Sequence, residues 1–306
     1  MDFSEYLDMV KRQLAVDFNC APEDFDRAEN VVTVSAANEG RRTYSDEKYF
    51  FQMATFGGNA VLSADEALHP FLREFMADIG IDNIIALQRK VNTSNDGYIG
   101  NDSPGTGHWL FEQDKLAVLE RELNKHGYRL SPSHHKYLPK YDVKAADSFP
   151  VRWFETRGEL EPFYGGRFPN ALCERYLEKR PDRLAVCAYD GDEIMGMAGC
   201  SEDAPGFLQI GVDVFPKYRG RGAGTYLVLL MKNEIIKRGG MPVYETAAAN
   251  IRSQNVAVNC GFRPAWVEIE AEKIPEEKPK ISDTWVTDMK EEMEDYIEEQ
   301  GIYIRQ

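Results

Sequence analysis

The chain has 306 residues, of which 43% are hydrophobic and 28% are charged, and its formal net charge is −15. This composition is typical of globular proteins, and the length predicts two domains. The negative charge argues against nucleic acid or an anionic membrane as a partner. No window approaches the roughly 20 consecutive apolar residues that span a bilayer. The start "MDFSEYLDMV" lacks the pattern of a signal peptide, so we expect a cytoplasmic protein.

The first half mixes helical and strand patterns. In chain order they predict a helix at 2–18, a strand at 30–37, two short strands around a turn at 57–59, helices at 65–80 and 114–128, and a polar loop at 92–107. The segment 129–149 is polar and contains prolines, and we interpret it as a connection between domains. We therefore place an N-terminal mixed α/β domain at 1–145.

The second half alternates strands and helices more regularly. The predicted elements are a strand at 151–155, a hairpin at 184–200 that turns at Gly191, a strand at 207–215, a helix at 224–240, a strand at 241–247, a short helix at 253–261 and a strand at 263–273. We place a second domain at 146–275 and an acidic helical tail at 276–306. The predicted fold class is thus mixed α/β in both halves.

The cysteines and histidines predict no metal site and no disulfide framework. The five cysteines are scattered without CxxC spacing, which is typical of buried thiols that behave as small apolar residues. His134 and His135 are adjacent and would point to opposite faces of a strand. The other three histidines have no second ligand at a useful spacing, so we expect no bound metal.

The stretch "FPKYRGRGAG", residues 215–224, carries the strongest chemical signal. It joins an apolar strand to an apolar helix, and the first N–H groups of a helix are free to bind an anion. Glycines at 220, 222 and 224 allow a phosphate to approach the backbone closely. A P-loop would require a Lys-Ser or Lys-Thr pair after the glycines, which is absent. A dinucleotide turn would require GxGxxG, whereas these glycines alternate as GxGxG. It remains a weaker alternative because Glu245 follows about 20 residues later, where such a fold places a ribose-binding acid.

Arg219-x-x-Gly222-x-Gly224 resembles the acetyl-CoA signature (Q/R)xxGx(G/A) of the GNAT acyltransferase superfamily. Downstream, "NIRSQNVAVNCGFRP", residues 250–264, resembles the second conserved stretch of that superfamily. The resemblance covers roughly residues 150–270. It implies a mostly antiparallel GNAT-type sheet flanked by helices in the second half of the chain, and acetyl-CoA as the co-substrate.

The resemblance also implies which residues bind acetyl-CoA. In the superfamily, backbone amides of the glycine turn bind the pyrophosphate, which maps to Arg219, Gly220, Arg221, Gly222, Ala223 and Gly224. The pantetheine arm pairs with the exposed edge of the preceding strand, here at Val212 and Val214, where a backbone N–H near Val214 would also stabilise the oxyanion. Asn250 matches the asparagine that reaches the pantetheine, or it caps the helix that begins near Ser253.

Proton transfer is less well defined by the sequence. In many superfamily members a tyrosine acts as the general acid at the position where this chain has Ala257. The candidates that could instead protonate the leaving thiolate are Ser253, Tyr244 and a water. Asp213 is our first candidate for the general base and Glu202 the second. Asp213 has an alternative interpretation as a structural carboxylate that accepts backbone hydrogen bonds.

The sequence therefore predicts an N-acetyltransferase that transfers acetyl from acetyl-CoA directly to a primary amine of a small molecule or peptide. An acyl-enzyme is not expected, because Cys200 and Cys260 lack a paired histidine. The alternative is a non-catalytic acyl-CoA sensor of the same fold, which the missing tyrosine favours. We expect the first half to close one side of the acceptor pocket, or to be a degenerate second copy of the fold. The acceptor itself and a homodimer are left open.

Overall fold

The computed structural model describes residues 1–42, 44, 47–76 and 107–275. The predicted tail at 276–306 lies outside these residues, as does the predicted loop at 92–107 apart from its last residue. Met1–Glu272 forms one compact unit and Lys273–Gln306 another. The boundary between residues 145 and 146 stays a prediction, although the main sheet crosses it.

The described residues form a mixed α/β structure, which confirms the predicted fold class. The helices are α1 (Phe3–Asp17), α2 (residues 69–76), α3 (Gln113–Lys125), α4 (Arg157–Leu160), α5 (Ala223–Lys237) and α6 (Ile251–Asn259). The strands are β1 (Val31–Val34), β2 (Phe51–Thr55), β3 (Ala60–Ala64), β4 (Tyr128–Leu130), β5 (His134–Pro139), β6 (Val151–Phe154), β7 (Asp182–Asp190), β8 (Glu193–Ala204), β9 (Phe207–Val214), β10 (Met241–Ala247) and β11 (Phe262–Lys273).

The strands form one sheet of 11 strands in the order β1-β3-β2-β11-β5-β10-β9-β8-β7-β6, with β4 beside β11. Most pairs are antiparallel, whereas β1 with β3 and β9 with β10 are parallel. Strand β5 from the first half lies between β10 and β11 of the second half. The two halves are therefore joined by backbone hydrogen bonds, in addition to side-chain packing.

Helices α1 and α5 cover opposite faces of the sheet's centre. Successive strand residues point to opposite faces, so Val243 packs in the core cluster of α1 and Tyr244 in that of α5. Helix α1 begins with a capping box in which Asp2 and Glu5 bind each other's backbone N–H groups. Helix α5 is buried along most of its length, which fixes the position of its N-terminus.

The prediction that 129–149 only connects two domains is wrong, because residues 134–139 form the central strand β5. The segment "HHKYLP" does not alternate apolar and polar residues, and it contains a lysine. Lys136 is nevertheless only 5% exposed, because it forms ion pairs with Glu245 of β10 and Glu268 of β11. These partners are more than 100 residues away in the chain, so no local pattern could indicate the strand.

We expect a fragment of residues 145–306 to lack a cooperative thermal transition. Removing β5 leaves the facing backbone edges of β10 and β11 without partners and takes away the charge that pairs with Glu245 and Glu268. Circular dichroism during heating measures this. A chain ending at residue 275 retains every described strand and serves as the control. Cooperative melting of the fragment at the full chain's temperature would contradict the expectation.

Candidate acyl-CoA site

Strands β9 and β10 pair at their beginnings and then part. Their parallel register runs from Met241 opposite Phe207 to Tyr244 opposite Ile210. Beyond this point β9 continues along β8 to Val214, whereas β10 continues along β5 to Ala247. The edge of β9 from Gly211 to Val214 therefore faces a gap between two diverging strands. Its backbone groups on that side are available to an extended ligand.

The predicted glycine turn lies at the end of this gap. Gly220 and Gly222 have φ angles of 75° and 84°, in the region that side chains other than glycine disfavour. Gly222 is the N-cap of α5 and no side chain caps the helix there, so the first N–H groups of α5 can donate to an anion. Gly224 has no positive φ, and a Cβ there would meet Val214 at an ordinary 3.4 Å.

The two arginines of the turn differ in their contacts. Arg219 Nε donates to the carbonyl oxygen of Val214 at 3.1 Å, which ties the turn to the end of β9. Arg221 forms an exposed ion pair with Asp190 at 3.3 Å. Ala223, which begins the helix, is buried. Backbone amides of the turn and the start of α5 are thus held in a fixed arrangement, with both arginines at the surface.

Asn250, Ser253 and Tyr244 form a connected group near the point where the strands part. Asn250 Oδ1 accepts the Ser253 N–H at 3.1 Å, so the asparagine caps α6 as one of the two interpretations expected. The hydroxyls of Ser253 and Tyr244 are 2.7 Å apart. Burial raises the pKa of the Tyr244 phenol, which keeps its proton in place at neutral pH.

Asp213 occupies the opposite face of β9 from Val212 and Val214, as its alternation with them predicts. Its carboxylate accepts three hydrogen bonds, from the backbone N–H groups of Asn170 and Ala171 at 2.9 Å each and from Asn170 Nδ2 at 2.6 Å. These contacts match the structural interpretation of Asp213. The carboxylate is thus occupied by three donors that connect β9 to residues 170 and 171.

The segment that Asp213 binds lies directly on the sheet because two glycines allow it. Gly199 of β8 and Gly211 of β9 are direct neighbours across the two strands. A Cβ on Gly199 would lie 2.0 Å from the carbonyl oxygen of Ala171, and one on Gly211 would lie 1.7 Å from that of Asn170. The sequence gives no sign of this pair, because nothing near either glycine indicates that residues 170 and 171 cross it.

Glu202 lies at the other end of β8 and β9 from the glycine turn. Its carboxylate accepts hydrogen bonds from Arg183 Nε at 2.6 Å and from the backbone N–H of Gly206 at 2.9 Å. The Gly206 contact stabilises the hairpin between β8 and β9, and the Arg183 contact ties β8 to β7. The structure does not bring Glu202 together with Asp213 or Ser253. Phe168 is buried in an apolar cluster that also includes Tyr164.

An open cavity of about 640 Å³ lies beside the point where β9 and β10 part. Segment 169–175 forms one wall, while Gln209, Gly211 and Glu245 line the cavity from the two strands. Arg180, Asp182 and Ser201 complete its polar lining. A ligand lying in the gap between the strands would therefore reach a chamber that is rich in charged and polar groups.

A buried charge network from the first half supports this chamber. Lys136 Nζ donates to Glu245 and also lies 3.5 Å from Glu268, which Arg42 binds at 2.9 Å. Arg42 in turn pairs with Asp17 at 2.5 Å. Although burial opposes ionisation, the charges of Arg42 and Lys136 lower the pKa of Glu268 to about 2. The network fixes the position of Glu245 at the cavity wall.

A segment that matches a known family contains the glycine turn, the strands β9 and β10, and the residues that line the cavity. Residues 147–262 match the model of the Acetyltransferase (GNAT) family. The second half of the chain thus contains a GNAT acetyltransferase domain, as its glycine turn and its 250–264 segment indicate. Acyltransferase activity is the general property of that family.

Solved structures that this chain is similar to include proteins described as acetyltransferases. A putative acetyltransferase from Novosphingobium aromaticivorans has 18% identity and a TM-score of 0.39, covering 47% of this chain and 66% of its own. A GCN5-related N-acetyltransferase-like protein from Streptococcus suis has 16% identity and a TM-score of 0.38, over 53% of this chain and 69% of its own. A Bacillus subtilis acetyltransferase in complex with CoA has 17% identity and a TM-score of 0.32, over 41% of this chain and 99% of its own.

One curated protein matches over a short stretch. T-box-containing protein TBX6L from Gallus gallus is 39% identical over 61 residues, which cover 18% of this chain and 17% of that protein. The chain thus spans less than two thirds of the length of this relative and of the Novosphingobium protein.

Within the described residues, no helix is long and apolar enough to cross a membrane. The same residues contain no group of three or more His, Cys, Asp or Glu side chains that could hold a metal ion.

Proposed function

We propose that the chain is an N-acetyltransferase that transfers acetyl from acetyl-CoA directly to a primary amine of a small molecule or peptide. The observation that carries the proposal is the parting of β9 from β10 between the glycine turn and the polar cavity. The turn would bind the pyrophosphate with the backbone of residues 219–224, and the edge at Val212 and Val214 would pair with the pantetheine. The thioester would then face the cavity.

The Tyr244–Ser253 pair would supply the proton to the departing thiolate. Tyr244 is the last residue of β10 that pairs with β9, and its hydroxyl lies within hydrogen-bond distance of Ser253. Ala257, where superfamily members often have tyrosine, is fully buried in the same cluster as Tyr244 and offers no room for a ring. The general acid that protonates the thiolate would thus be a residue of β10 instead of α6.

Binding and chemistry are tested separately. Calorimetry with CoA tests the cofactor site, and release of free thiol from acetyl-CoA in the presence of amines tests transfer. CoA binding without thiol release for any amine would favour the sensor alternative, which rests on Ala257. If calorimetry shows no heat of CoA association, both the acetyltransferase proposal and the sensor alternative are wrong.

Asp213 is proposed as a positioning residue instead of a base. Asp213→Asn weakens its hold on Asn170 and Ala171, and hydrogen bonds to charged groups are worth about 1.5–3 kcal/mol each. We expect the acceptor KM to rise about tenfold, with kcat changed less than threefold and CoA affinity unchanged. Steady-state kinetics at several acceptor concentrations measures the split. A 100-fold fall in kcat at unchanged KM would instead support the base role.

A further inference from the structure

Two arginines line the cavity beside the parted strands, the exposed Arg175 and the part-buried Arg180, and the hydrogen-bonding capacity of Arg180 is largely unused. Arg180 has five N–H donors, and one terminal nitrogen donates to the Cys173 sulfur at 3.1 Å, which is a weak acceptor. Its Nε makes no hydrogen bond to any described residue and lies 3.9 Å from Asp203. The side chain is one-quarter exposed (25%) and lines the cavity.

Three acids line the same cavity: Glu245 and Asp182 have donors within the protein, whereas Glu174 is exposed. Glu245 accepts hydrogen bonds from Lys136 and from Gln209, the latter at 2.7 Å. Asp182 lies 3.3 Å from the backbone N–H of Cys173. Glu245 and Asp182 are thus partly satisfied within the protein, whereas the guanidinium of Arg180 is not, and the opposite charges of the exposed Glu174 and Arg175 offset each other. This asymmetry favours a ligand with a negative group over a polycation, despite the negative charge of the whole chain.

Arg180 is held in place by a residue of the first half. Its guanidinium lies over the Tyr44 ring, 5.4 Å from the centroid. The Tyr44 hydroxyl is 2.5 Å from Asp203 and 2.8 Å from Gln209, which also lines the cavity. Stacking on an aromatic ring fixes a planar fork that matches a carboxylate. Arg180 and the gap at Gly211 therefore open into one chamber at a fixed separation.

We propose that the acceptor is an amino carboxylate, whose carboxylate binds Arg180 while its amine lies near Gly211 and Glu245. This inference rests on the proposed acetyl transfer and adds the chemical class of the acceptor. In the reaction the amine nitrogen forms a bond to the acetyl carbon, the carbon–sulfur bond breaks, and CoA leaves with a proton. The carboxylate takes no part in these steps and serves recognition alone.

The test compares acceptors that differ only in the carboxylate. Glycine, alanine, β-alanine and glutamate are each assayed beside their primary amides, with spermidine as a polycation, by thiol release from acetyl-CoA. We expect the wild type to favour one or more of the acids over the amide. Arg180→Gln should raise the KM for that acid about 10- to 100-fold and leave the KM for its amide unchanged. Arg180→Lys keeps the positive charge but lacks the planar guanidinium, so its KM for the acid should lie between those of the wild type and Arg180→Gln.

Arg152→Gln serves as the matched control, because Arg152 is an exposed arginine on β6 that does not line the cavity. It should leave the preference for acids unchanged, and thermal melts should show that all variants fold. Equal or better turnover of amides or spermidine by the wild type would overturn the inference, as would an equal loss for acid and amide in Arg180→Gln. In those cases acetyl transfer itself still stands.

A failure of the proposed function is recognised separately. If no amine releases thiol although CoA binds, the same amino acids are titrated into the protein–CoA complex by calorimetry. Binding in the wild type that is lost in Arg180→Gln then supports the carboxylate site without catalysis. No binding by any of the acids overturns it.

Discussion

Gly222→Ala is expected to weaken CoA binding about 10- to 100-fold. Gly222 has a φ of 84° and is the N-cap of α5. An alanine there costs about 1–2 kcal/mol in the left-handed region, and relief of this strain rotates the N–H groups that would bind the pyrophosphate. One hydrogen bond to a charged group contributes about 1.5–3 kcal/mol, which corresponds to the stated loss in affinity. Calorimetric titration with CoA measures it.

The same helix offers a matched control at its other end. Gly239 has a φ of 83° just beyond the C-terminus of α5, so Gly239→Ala introduces the same backbone strain far from the turn. Both variants should lose similar thermal stability, but Gly239→Ala should keep full CoA affinity. Gly224→Ala, at a position without positive φ, should change affinity less than threefold. Equal CoA affinity in Gly222→Ala and Gly239→Ala would refute the assignment of the turn.

The parts of this site that the sequence could predict depend on local patterns. The strand before residue 215, the glycine turn and the helix after it follow one another in the chain, so their order and residue types determine the geometry. The opposed orientation of Asp213 and Val212 follows in the same way from strand alternation. Asn250 as the cap of α6 likewise depends on a partner three residues away.

The remaining features depend on residues that are distant in the chain. Lys136 can be buried in β5 only because Glu245 and Glu268 meet it there. Gly199 and Gly211 are required by a segment some 30 to 40 residues earlier, whose carbonyl oxygens occupy the space of a side chain. Arg180 is held by Tyr44, a residue of the first half that lies beneath its guanidinium. Periodicity and spacing carry no information about such contacts.

Tyr244→Phe is expected to lower kcat about 100-fold while leaving CoA affinity within threefold of the wild type. General acid catalysis contributes typically 10²–10⁴-fold, and we take the lower value because Ser253 and water can replace part of the proton supply. Since burial raises the pKa of Tyr244, the phenol keeps its proton into the alkaline range. The wild-type kcat should accordingly show no fall from loss of this proton between pH 7 and 9, by steady-state thiol release.

Tyr137→Phe is the control for Tyr244→Phe, because Tyr137 is the direct neighbour of Tyr244 across β5 and β10 and lies in the same core cluster. It removes a phenol hydroxyl from the same core, but not the one that contacts Ser253. Its kcat should stay within twofold to threefold of the wild type, which corresponds to a barrier that is higher by at most about 0.7 kcal/mol. Full activity of Tyr244→Phe together with Ser253→Ala would mean that the thiolate takes its proton from water, and β10 would then serve only to form the gap.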